Sequence, residues 1–389
     1  MKHPNKKMNP TITMKRAAWS AVGVLALFLS ISLIWRHFYL QQDLQVFHLP
    51  PQTDTEHSRA TTASGQQRET IRILSISGGG IRGIIPLEVL QYIEKQSGKR
   101  ISELFDIVAG TSVGSIISNL LVTPGKPNQA KYTAEQVANF FYDAEFRSSV
   151  FSTNPLHAYL TLDGYIGPKY RSADKGAVLK KLMDETPYGN LLLPSITMSY
   201  FPEKVDIVAM KNLSDEFREY PTWLLVHGAS SPPSYFPPVT LIDPTKSQSH
   251  TLSDAAIATN DPIFAAINES GILFPNKKYL VVHLGTGYSD AKSVDSSGHA
   301  YWGKLQWASP IVPTIMDLQA MVTGHLASQL VEMDAFNGIH IFNFDIGTKN
   351  LPAIDDTSPE SIRALEQLGT RLVEQDKKEL DKLVSLLLH

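Results

Sequence analysis

The sequence has no cysteine among its 389 residues. This absence excludes disulfide bonds, thiolate catalysis and cysteine-ligated metal sites. It leaves the compartment open, because proteins without disulfides occur on both sides of a membrane. The chain also lacks an excess of charge of either sign, since 35 basic and 38 acidic side chains give a formal net charge of −3. A balance so close to neutral argues against a general nucleic-acid-binding protein.

Charged residues are missing from one segment in particular, Ala17 to Trp35, "AAWSAVGVLALFLSISLIW". As a helix it would be about 28 Å long, close to the hydrocarbon thickness of a bilayer. Residues 1–16 form a basic tail, whose positive charges are expected to stay in the cytoplasm. We therefore predict an uncleaved, single-pass signal anchor over residues 17–35, with the rest of the chain on the extracytoplasmic side. A cleaved signal peptide and a secreted product form the alternative, although bulky residues after Ser32 argue against cleavage.

A change in pattern at about residue 71 marks the start of a folded domain. Residues 36–70 are predicted to be a flexible tether, because "PPQTDTEHSRATTASGQQRET" is polar and without periodicity. A strand "IRILSIS", a helix "IIPLEVLQYIEKQSG", a strand "LFDIVAG" and a helix "SVGSIISNLLV" then follow in order. This order predicts an α/β fold with a central, mostly parallel sheet and helices on both faces.

The folded part is predicted to be one large domain at residues 71–330, with a C-terminal helical extension at residues 331–389 packed on it. Neither an internal repeat nor a second tether interrupts the sequence. The apolar fraction of 43% permits a sizeable core. Two further segments, "SITMSYF" and "KVDIVAMKN", are predicted to be strands that could be adjacent, and "TAEQVANFFYDAEFRSSVF" is predicted to be helical.

The pentapeptide Gly110-Thr111-Ser112-Val113-Gly114 lies between the second strand and the helix that follows it. A G-x-S-x-G sequence at a strand-to-helix turn is typical of a nucleophile elbow. The turn is so tight that side chains flanking the serine would collide with the neighbouring backbone, which explains the glycines. Ser112 is therefore predicted to expose its hydroxyl at a helix N-terminus, which favours developing negative charge. An ordinary N-capping serine is the alternative.

The stretch "SISGGGIRGIIP" contains a G-x-G-x-x-G sequence after the first strand. A dinucleotide-binding fold would need an acidic residue at the end of the second strand, and that strand leads into the serine elbow instead; Asp106 lies at its start. Consecutive glycines can also direct backbone N–H groups at one oxygen, which makes an oxyanion hole beside an activated serine. We predict the amides of Gly79 and Gly80 as donors, with that of Val113 as a third. Arg82 is predicted to steady this loop, to meet an anionic head group or to form a surface salt bridge.

Ser112 needs a proton acceptor, and two kinds of residue compete for that role. Four late histidines are candidates, although none lies in a distinctive loop: His283, His299, His325 and His340. Asp254 lies in "TLSDAAIATNDPIFAA", a short strand that leads into a tight turn of small residues. A carboxylate held there could accept the serine proton directly. Because Asp261 beside Pro262 is the better helix-cap candidate, Asp254 is left without a structural role, which favours it as the base.

Three segments that occur in order, "SGGGIRGIIP", "GTSVG" and "SDAAIATNDP", resemble motifs of the patatin family of lipid acyl hydrolases. The segments "ASSPPSYFPP", "VVHLGTG" and "WGKLQW" also resemble patatin segments in the same order, so the resemblance covers most of the chain from about residue 71 to 330. It implies a sheet-and-helix core resembling cytosolic phospholipase A2, and a dyad of Ser112 as nucleophile and Asp254 as general base. It also implies an oxyanion hole over Gly78, Gly79, Gly80, Ile81, Arg82 and Gly83, joined by Val113.

The resemblance further implies hydrolysis of fatty-acyl esters in a membrane phospholipid, galactolipid or other acyl lipid through an acyl-enzyme, without a metal or other cofactor. A general carboxylesterase, thioesterase or transacylase with the same dyad is one alternative, and a weakly active lipid-binding homologue is another. Two positions depart from the family's pattern. Ser77 stands where Asp often precedes the glycines, and Ala255, followed by Ala256, stands where glycine usually follows the catalytic Asp. If that turn needs a positive φ, alanine costs about 1 kcal/mol or shifts the carboxylate.

Overall fold

The computed structural model describes residues 30, 32–48, 68–243, 248–289, 303, 311–332 and 338–389. Two compact units divide between Leu44 and Gln45. Within the described residues, no helix is both long enough and apolar enough to cross a membrane. The basic tail at 1–16 and most of the anchor at 17–35 lie outside these residues, so the anchor stays a prediction.

The described residues from Gln45 onward form a large central sheet and two small two-stranded ones. The strands are β1 (Gln45–His48), β2 (Thr70–Ile76), β3 (Ile107–Thr111), β4 (Pro124–Lys126), β5 (Gln129–Ala130), β6 (Ser195–Phe201), β7 (Asp206–Lys211), β8 (Val239–Asp243), β9 (Gln248–Asp254), β10 (Lys278–Leu284), β11 (Tyr288–Ser289), β12 (Ile339–Phe344) and β13 (Gly347–Thr348). In the central sheet the order is β1-β8-β9-β6-β3-β2-β10-β12, with β7 paired to β6.

This sheet is mixed, and five of its eight strand pairs are parallel. The predicted β-α-β-α start accounts for the parallel pair of β2 and β3. Strand β10 also pairs in parallel with β2 and β12, β3 with β6, and β1 with β8. The antiparallel part comes from the pairs β6–β7, β8–β9 and β6–β9. Two of these pairs join strands that follow each other along the chain, as short connections allow only in antiparallel pairs. The predicted adjacency of "SITMSYF" and "KVDIVAMKN" is confirmed, because they form β6 and β7.

Helices cover both faces of the sheet. They are α1 (Ile84–Ser97), α2 (Ile101–Leu104), α3 (Val113–Val122), α4 (Ala134–Tyr142), α5 (Ala144–Val150), α6 (Pro155–Thr161), α7 (Ser172–Met183), α8 (Thr222–Ala229), α9 (Ile263–Leu273), α10 (Ile311–Glu332), α11 (Pro359–Gln375) and α12 (Lys377–Leu388). On β2, Ile71 and Ile73 join one apolar cluster while Leu74 and Ile76 join another, because alternate strand residues point to opposite faces. Helix α9 packs in the first cluster, and α1, α3 and α11 pack in the second.

The sheet extends beyond the predicted domain at both ends. Strand β1 lies within residues 36–70, predicted as a tether, and pairs in parallel with β8. Strand β12 lies within residues 331–389, predicted as a helical extension, and pairs with β10. The predicted helix "TAEQVANFFYDAEFRSSVF" is also divided, because Asp143 ends α4 and its carboxylate accepts a hydrogen bond from the Phe146 amide at 2.7 Å to begin α5. An N-cap of this kind starts a new helix even where the apolar periodicity continues.

Candidate active site

Ser112 lies at the tight turn between β3 and α3. Its backbone has φ 53° and ψ −124°, a strained conformation for a residue with a side chain that costs about 1–3 kcal/mol. A Cβ atom at Gly110 would collide with the backbone of Gly114, and a Cβ at Gly114 would collide with the carbonyl group of Ile76. Both positions therefore require glycine, and the close approach they permit is what allows Ser112 to project from the turn.

Hydrogen bonds hold this elbow in place. The amide and the hydroxyl of Ser115 both donate to the carbonyl oxygen of Ser112, at 2.9 and 2.6 Å. The Thr111 hydroxyl donates to the carbonyl of Thr259 at 3.2 Å. Since Thr259 belongs to the segment that follows Asp254, Thr111 links the elbow to the second half of the site.

The glycine loop lies directly beside the elbow, where a Cβ at Gly78 would be 3.0 Å from the Cβ of Ser112. Backbone hydrogen bonds already use the amides of Gly78, Ile81 and Arg82. In the described part of the chain, the amides of Gly79, Gly80 and Val113 have no such partner. The three amides predicted as oxyanion donors can therefore donate to a bound oxygen atom.

Arg82 is buried and steadies the glycine loop. Its Nε donates to the carbonyl of Pro352 at 2.7 Å, and its guanidinium lies 3.4 Å from the Asp317 carboxylate. Burial lowers the pKa of this guanidinium. Gly83 has a packing role, since a Cβ there would lie only 2.8 Å from the Val113 side chain at the start of α3.

Asp254 ends β9 and is fully buried beside Ser112. Its Oδ1 accepts a hydrogen bond from the Ala256 amide at 2.9 Å, which caps a 3₁₀ turn, so Asp254 does have the structural role that sequence reasoning denied it. Its Oδ2 has no full hydrogen-bond partner among the described residues. Burial raises the pKa of Asp254 to about 6, although the nearby Ser112 hydroxyl, the Ala256 amide and the Lys175 ammonium each lower it. The Ser112 hydroxyl is thus close enough to lower the pKa of Asp254, but its contact with the carboxylate is looser than a full hydrogen bond, as is common in unliganded sites.

Ala255 follows Asp254 without backbone strain. It begins the 3₁₀ helix Ala255–Ile257 and is not among the residues with positive φ. Ala255 and Ala256 are both buried, and small side chains fit this packed turn. The turn does not require glycine, so Ala255 gives no reason to expect a displaced carboxylate or a weakly active homologue.

Lys175 is a site residue that sequence reasoning missed. It is buried in α7, and its Nζ donates to the carbonyls of His227 and Ser230 at 3.2 and 2.6 Å and to the Ser231 hydroxyl at 2.8 Å. These carbonyls lie at the C-terminal end of α8, where the helix dipole favours a cation. Burial lowers the pKa of Lys175 to about 7, while the charge of Asp254 raises it. The Lys175 ammonium group is thus a positive charge close enough to the Asp254 carboxylate to lower its pKa.

None of the described histidines lines the pocket at Ser112. His283 lies next to the start of the glycine loop, where the hydroxyls of Ser75 and Ser77 contact its two ring nitrogens at 3.2 and 3.3 Å. Ser77 also donates to the carboxylate of Asp261. Asp261 does not cap α9, so the predicted helix cap is wrong. His340 lies on β12, while His299 and the His325 side chain fall outside the described residues. Within the described residues, no group of acidic and histidine side chains is placed to hold a metal ion.

A narrow apolar pocket opens beside Ser112 and Asp254. Its walls include Ile116, Phe141, Phe151, Tyr235, Phe236 and Met316. The segment "SSPPSYFPP" contributes Tyr235 and Phe236 to these walls, whereas the apolar residues of "IIPLEVL" lie in the core. Phe141 and Phe151 were missed, because aromatic residues at helical spacing are indistinguishable from core residues in the sequence.

Comparison with known proteins places these features in a family. The family model described as "Patatin-like phospholipase" matches residues 74–267, which include the glycine loop, the elbow and Asp254. Patatin-like protein 2 of Oryza sativa subsp. indica is 25% identical over 359 residues, covering 83% of this chain and 88% of that protein. Patatin group A-2 of Solanum tuberosum is 26% identical over 353 residues, covering 81% and 87%.

Solved structures also resemble this chain, though loosely. Human GIVD cytosolic phospholipase A2 aligns with a TM-score of 0.42 and 11% identity, over 93% of this chain and 64% of that one. VipD from Legionella pneumophila aligns with a TM-score of 0.33 and 12% identity, over 84% and 72%.

Proposed function

The chain belongs to the patatin-like phospholipase family of lipid acyl hydrolases, and we propose that it cleaves fatty-acyl esters of membrane lipids by a Ser112–Asp254 dyad. One observation carries the proposal. Ser112, on a strained elbow, stands beside the buried Asp254 carboxylate, whose Oδ2 has no full hydrogen-bond partner among the described residues, and both line an apolar pocket.

In the first step, Asp254 Oδ2 takes the Ser112 proton while Ser112 Oγ attacks the acyl carbonyl carbon. The amides of Gly79, Gly80 and Val113 donate to the oxyanion of the tetrahedral intermediate, and each such donor contributes about 3–4 kcal/mol of transition-state stabilisation. The carbon–oxygen bond to the alcohol then breaks. The leaving alcohol takes the proton from Asp254, and the acyl group remains on Ser112.

In the second step, water replaces the alcohol. Asp254 accepts a proton from the water molecule as its oxygen attacks the acyl-enzyme, and the same amides hold the second oxyanion. When the intermediate collapses, Asp254 returns the proton to Ser112 Oγ and the fatty acid leaves. Both half-reactions therefore use one base and one oxyanion site.

The basicity of Asp254 supports this scheme. An exposed carboxylate is a weak base at neutral pH, whereas burial raises the pKa of Asp254 from 3.8 to about 6. A shift of this size makes the carboxylate about a hundredfold more basic while leaving it ionised at pH 7. The hydrogen bonds from Ser112 and the Ala256 amide lower the same pKa, as does the Lys175 ammonium, and they offset part of the effect of burial.

Fatty-acid release from mixed phospholipid vesicles tests the proposal, alongside hydrolysis of a soluble short-chain ester. We expect activity in the full chain, loss of about a thousandfold or more in Ser112→Ala and Asp254→Asn, and full activity in Ser270→Ala, a buried serine on α9 that does not line the pocket. Full activity in Asp254→Asn would show that another group is the base. Transfer of the acyl group to an added alcohol in place of water would favour the transacylase alternative.

The proposal includes a single-pass anchor over residues 17–35 and an extracytoplasmic catalytic domain. The uncharged segment and its basic N-terminal flank support it. Protease added to intact cells should cleave the catalytic domain while the basic tail stays protected. A shortened, soluble product would instead indicate a cleaved signal peptide and secretion.

A further inference from the structure

Residues 152–171 form a segment that projects from the pocket wall and whose two ends meet there. The Arg171 amide donates to the Ser152 carbonyl at 2.8 Å, which closes the base of this excursion. Three aromatic rings pack at the base: Phe151 lies 5.3 Å from Tyr170 and 6.4 Å from Phe236, and Tyr170 lies 5.6 Å from Phe236, between ring centroids. Phe151 and Phe236 also line the pocket. We call residues 152–171 the rim excursion, because it is rooted in the pocket wall.

The rim excursion turns its apolar side chains outward. Tyr159 is 70% exposed and Tyr165 is 66% exposed. Leu156, Leu162 and Ile166 are exposed as well. A soluble helix normally buries its apolar side chains, and here only inner residues such as Leu160 and Thr161 are buried. An exposed apolar cluster of this kind marks an interaction surface.

The backbone of the excursion holds these side chains in place. Asp163 donates its amide to the Ala158 carbonyl at 2.8 Å, and Ile166 donates to the Thr161 carbonyl at 2.9 Å. Leu162 and Asp163 both adopt positive φ, at 47° and 52°. Because non-glycine residues in this region are strained, the turn is a specific structure rather than a loose loop.

The chemistry of the excursion matches a lipid surface. Residues 155–167 contain no lysine or arginine and a single carboxylate, that of Asp163. Tyrosine with leucine and isoleucine is the composition of segments that lie at the boundary between head groups and acyl chains. The excursion is also continuous with the pocket, since Lys169, three residues after Ile166, binds the pocket residue Asp355 at 2.7 Å.

We propose that the rim excursion docks on the surface of a lipid bilayer, with Leu156, Tyr159, Leu162, Tyr165 and Ile166 inserted at the head-group boundary. The inference rests on the proposed function, in which the substrate is a bilayer lipid. Docking there brings the pocket wall at Phe151 and Phe236 close to the membrane, which shortens the path of an acyl chain to the pocket. Exposed apolar side chains are then the membrane-facing part of the substrate path.

The cysteine-free sequence allows a direct test by single-cysteine labelling. Full-length protein carrying Ser112→Ala and either Tyr165→Cys or Val205→Cys is labelled with an environment-sensitive fluorophore and mixed with phosphatidylcholine vesicles. Val205 is 80% exposed in the turn between β6 and β7 and serves as the matched control. We expect a blue shift, and quenching by spin-labelled lipid, at position 165 and not at position 205.

The control separates docking from tethering by the predicted anchor, because both labels are on the same anchored chain. Equal responses at the two positions, or no response at position 165, would overturn the proposal. A shift at position 165 that grows with protein concentration in the absence of vesicles would show that a second copy of the chain covers the surface, and this too would overturn it. Ser112→Ala removes turnover, so the docking result stands whether or not the protein hydrolyses lipids.

A second experiment links docking to catalysis. Replacing Leu156, Tyr159 and Tyr165 together by serine is expected to lower hydrolysis of vesicle phospholipid at least about tenfold, while hydrolysis of a soluble short-chain ester changes less than about twofold. Val205→Ser should change neither. Equal losses on both substrates would assign the three residues to folding or to the pocket and contradict docking. No hydrolysis of either substrate by the unsubstituted chain would instead contradict the proposed function.

Discussion

Replacing Asp254 by asparagine is expected to abolish activity and to stabilise the protein. Burial raises the pKa of Asp254 from 3.8 to about 6, so at neutral pH the folded state holds an ionised carboxylate that the unfolded state solvates better. A carboxyl group with a raised folded-state pKa gives full stability below pH 3.8, and that stability is lost as pH rises through 6. The loss amounts to about 3 kcal/mol at pH 8 and about 1 kcal/mol at pH 4.5. Asparagine avoids this loss of stability, because it carries no charge and its side-chain oxygen can still accept the hydrogen bond from the Ala256 amide.

Thermal unfolding of the two full-length proteins at pH 8 and pH 4.5 tests this reasoning. In a chain of this size about 3 kcal/mol corresponds to a Tm increase of about 4 °C, which should shrink to about 1 °C at the lower pH. Asp261→Asn is the matched control, since Asp261 is also buried but accepts a hydrogen bond from Ser77 and lies 3.7 Å from His283. This control should lose stability. An unchanged or lower Tm for Asp254→Asn at pH 8, or a gain independent of pH, would refute the argument.

Other predictions concern the same site. The kcat/KM for a soluble ester should rise with pH through about 6 as Asp254 ionises, and a profile flat between pH 5 and 7 would exclude it as the base. Lys175→Met should move this rise to higher pH by about one unit, because the ammonium lowers the pKa of Asp254; Lys181→Met, on the exposed side of the same helix, should leave the profile in place. Ser112→Gly should unfold at a higher temperature than Ser112→Ala, with a stability difference of about 1 kcal/mol, because glycine relieves the positive φ at this position. The opposite order would show that the elbow is not strained.

The parts of the site that the sequence predicted are those whose physics is local. The elbow and the glycine loop each span a few residues, and glycine at Gly110 reflects a clash with Gly114 in the same turn. The glycine at Gly114 instead reflects the closeness of the Ile76 carbonyl on β2, although the local G-x-S-x-G pattern already identifies it. The parallel pairing of β2 and β3 also follows from the order of neighbouring elements. The features that the sequence did not predict depend on distant segments. Strands β1 and β12 are examples, because they are short or partly exposed and are recognisable only by their pairing with β8 and β10.

Lys175 shows why some site residues cannot be found this way. In the sequence it is one lysine among several in an amphipathic helix, where a solvated side chain is the usual outcome. Only the fold brings the end of α8 against it and places the Phe236 ring 4.1 Å from its ammonium group. Asp261 illustrates the reverse case, because a local cap signal was overridden by Ser77, which lies 184 residues away in the chain.

The position of β6 has a consequence for how this site can vary. Strand β6 lies between β3, which ends before Ser112, and β9, which ends at Asp254. Its neighbouring residues Met198 and Ser199 pair with Thr111 and Asp254, so a spacer two strand intervals wide, roughly 9–10 Å between the outer backbones, separates the two halves of the site. Apart from β6, the chain between Ser112 and Asp254 does not set this separation. Insertions or exchanges in that chain, the rim excursion included, can therefore alter which lipids reach Ser112 while the spacing of the reacting groups is preserved.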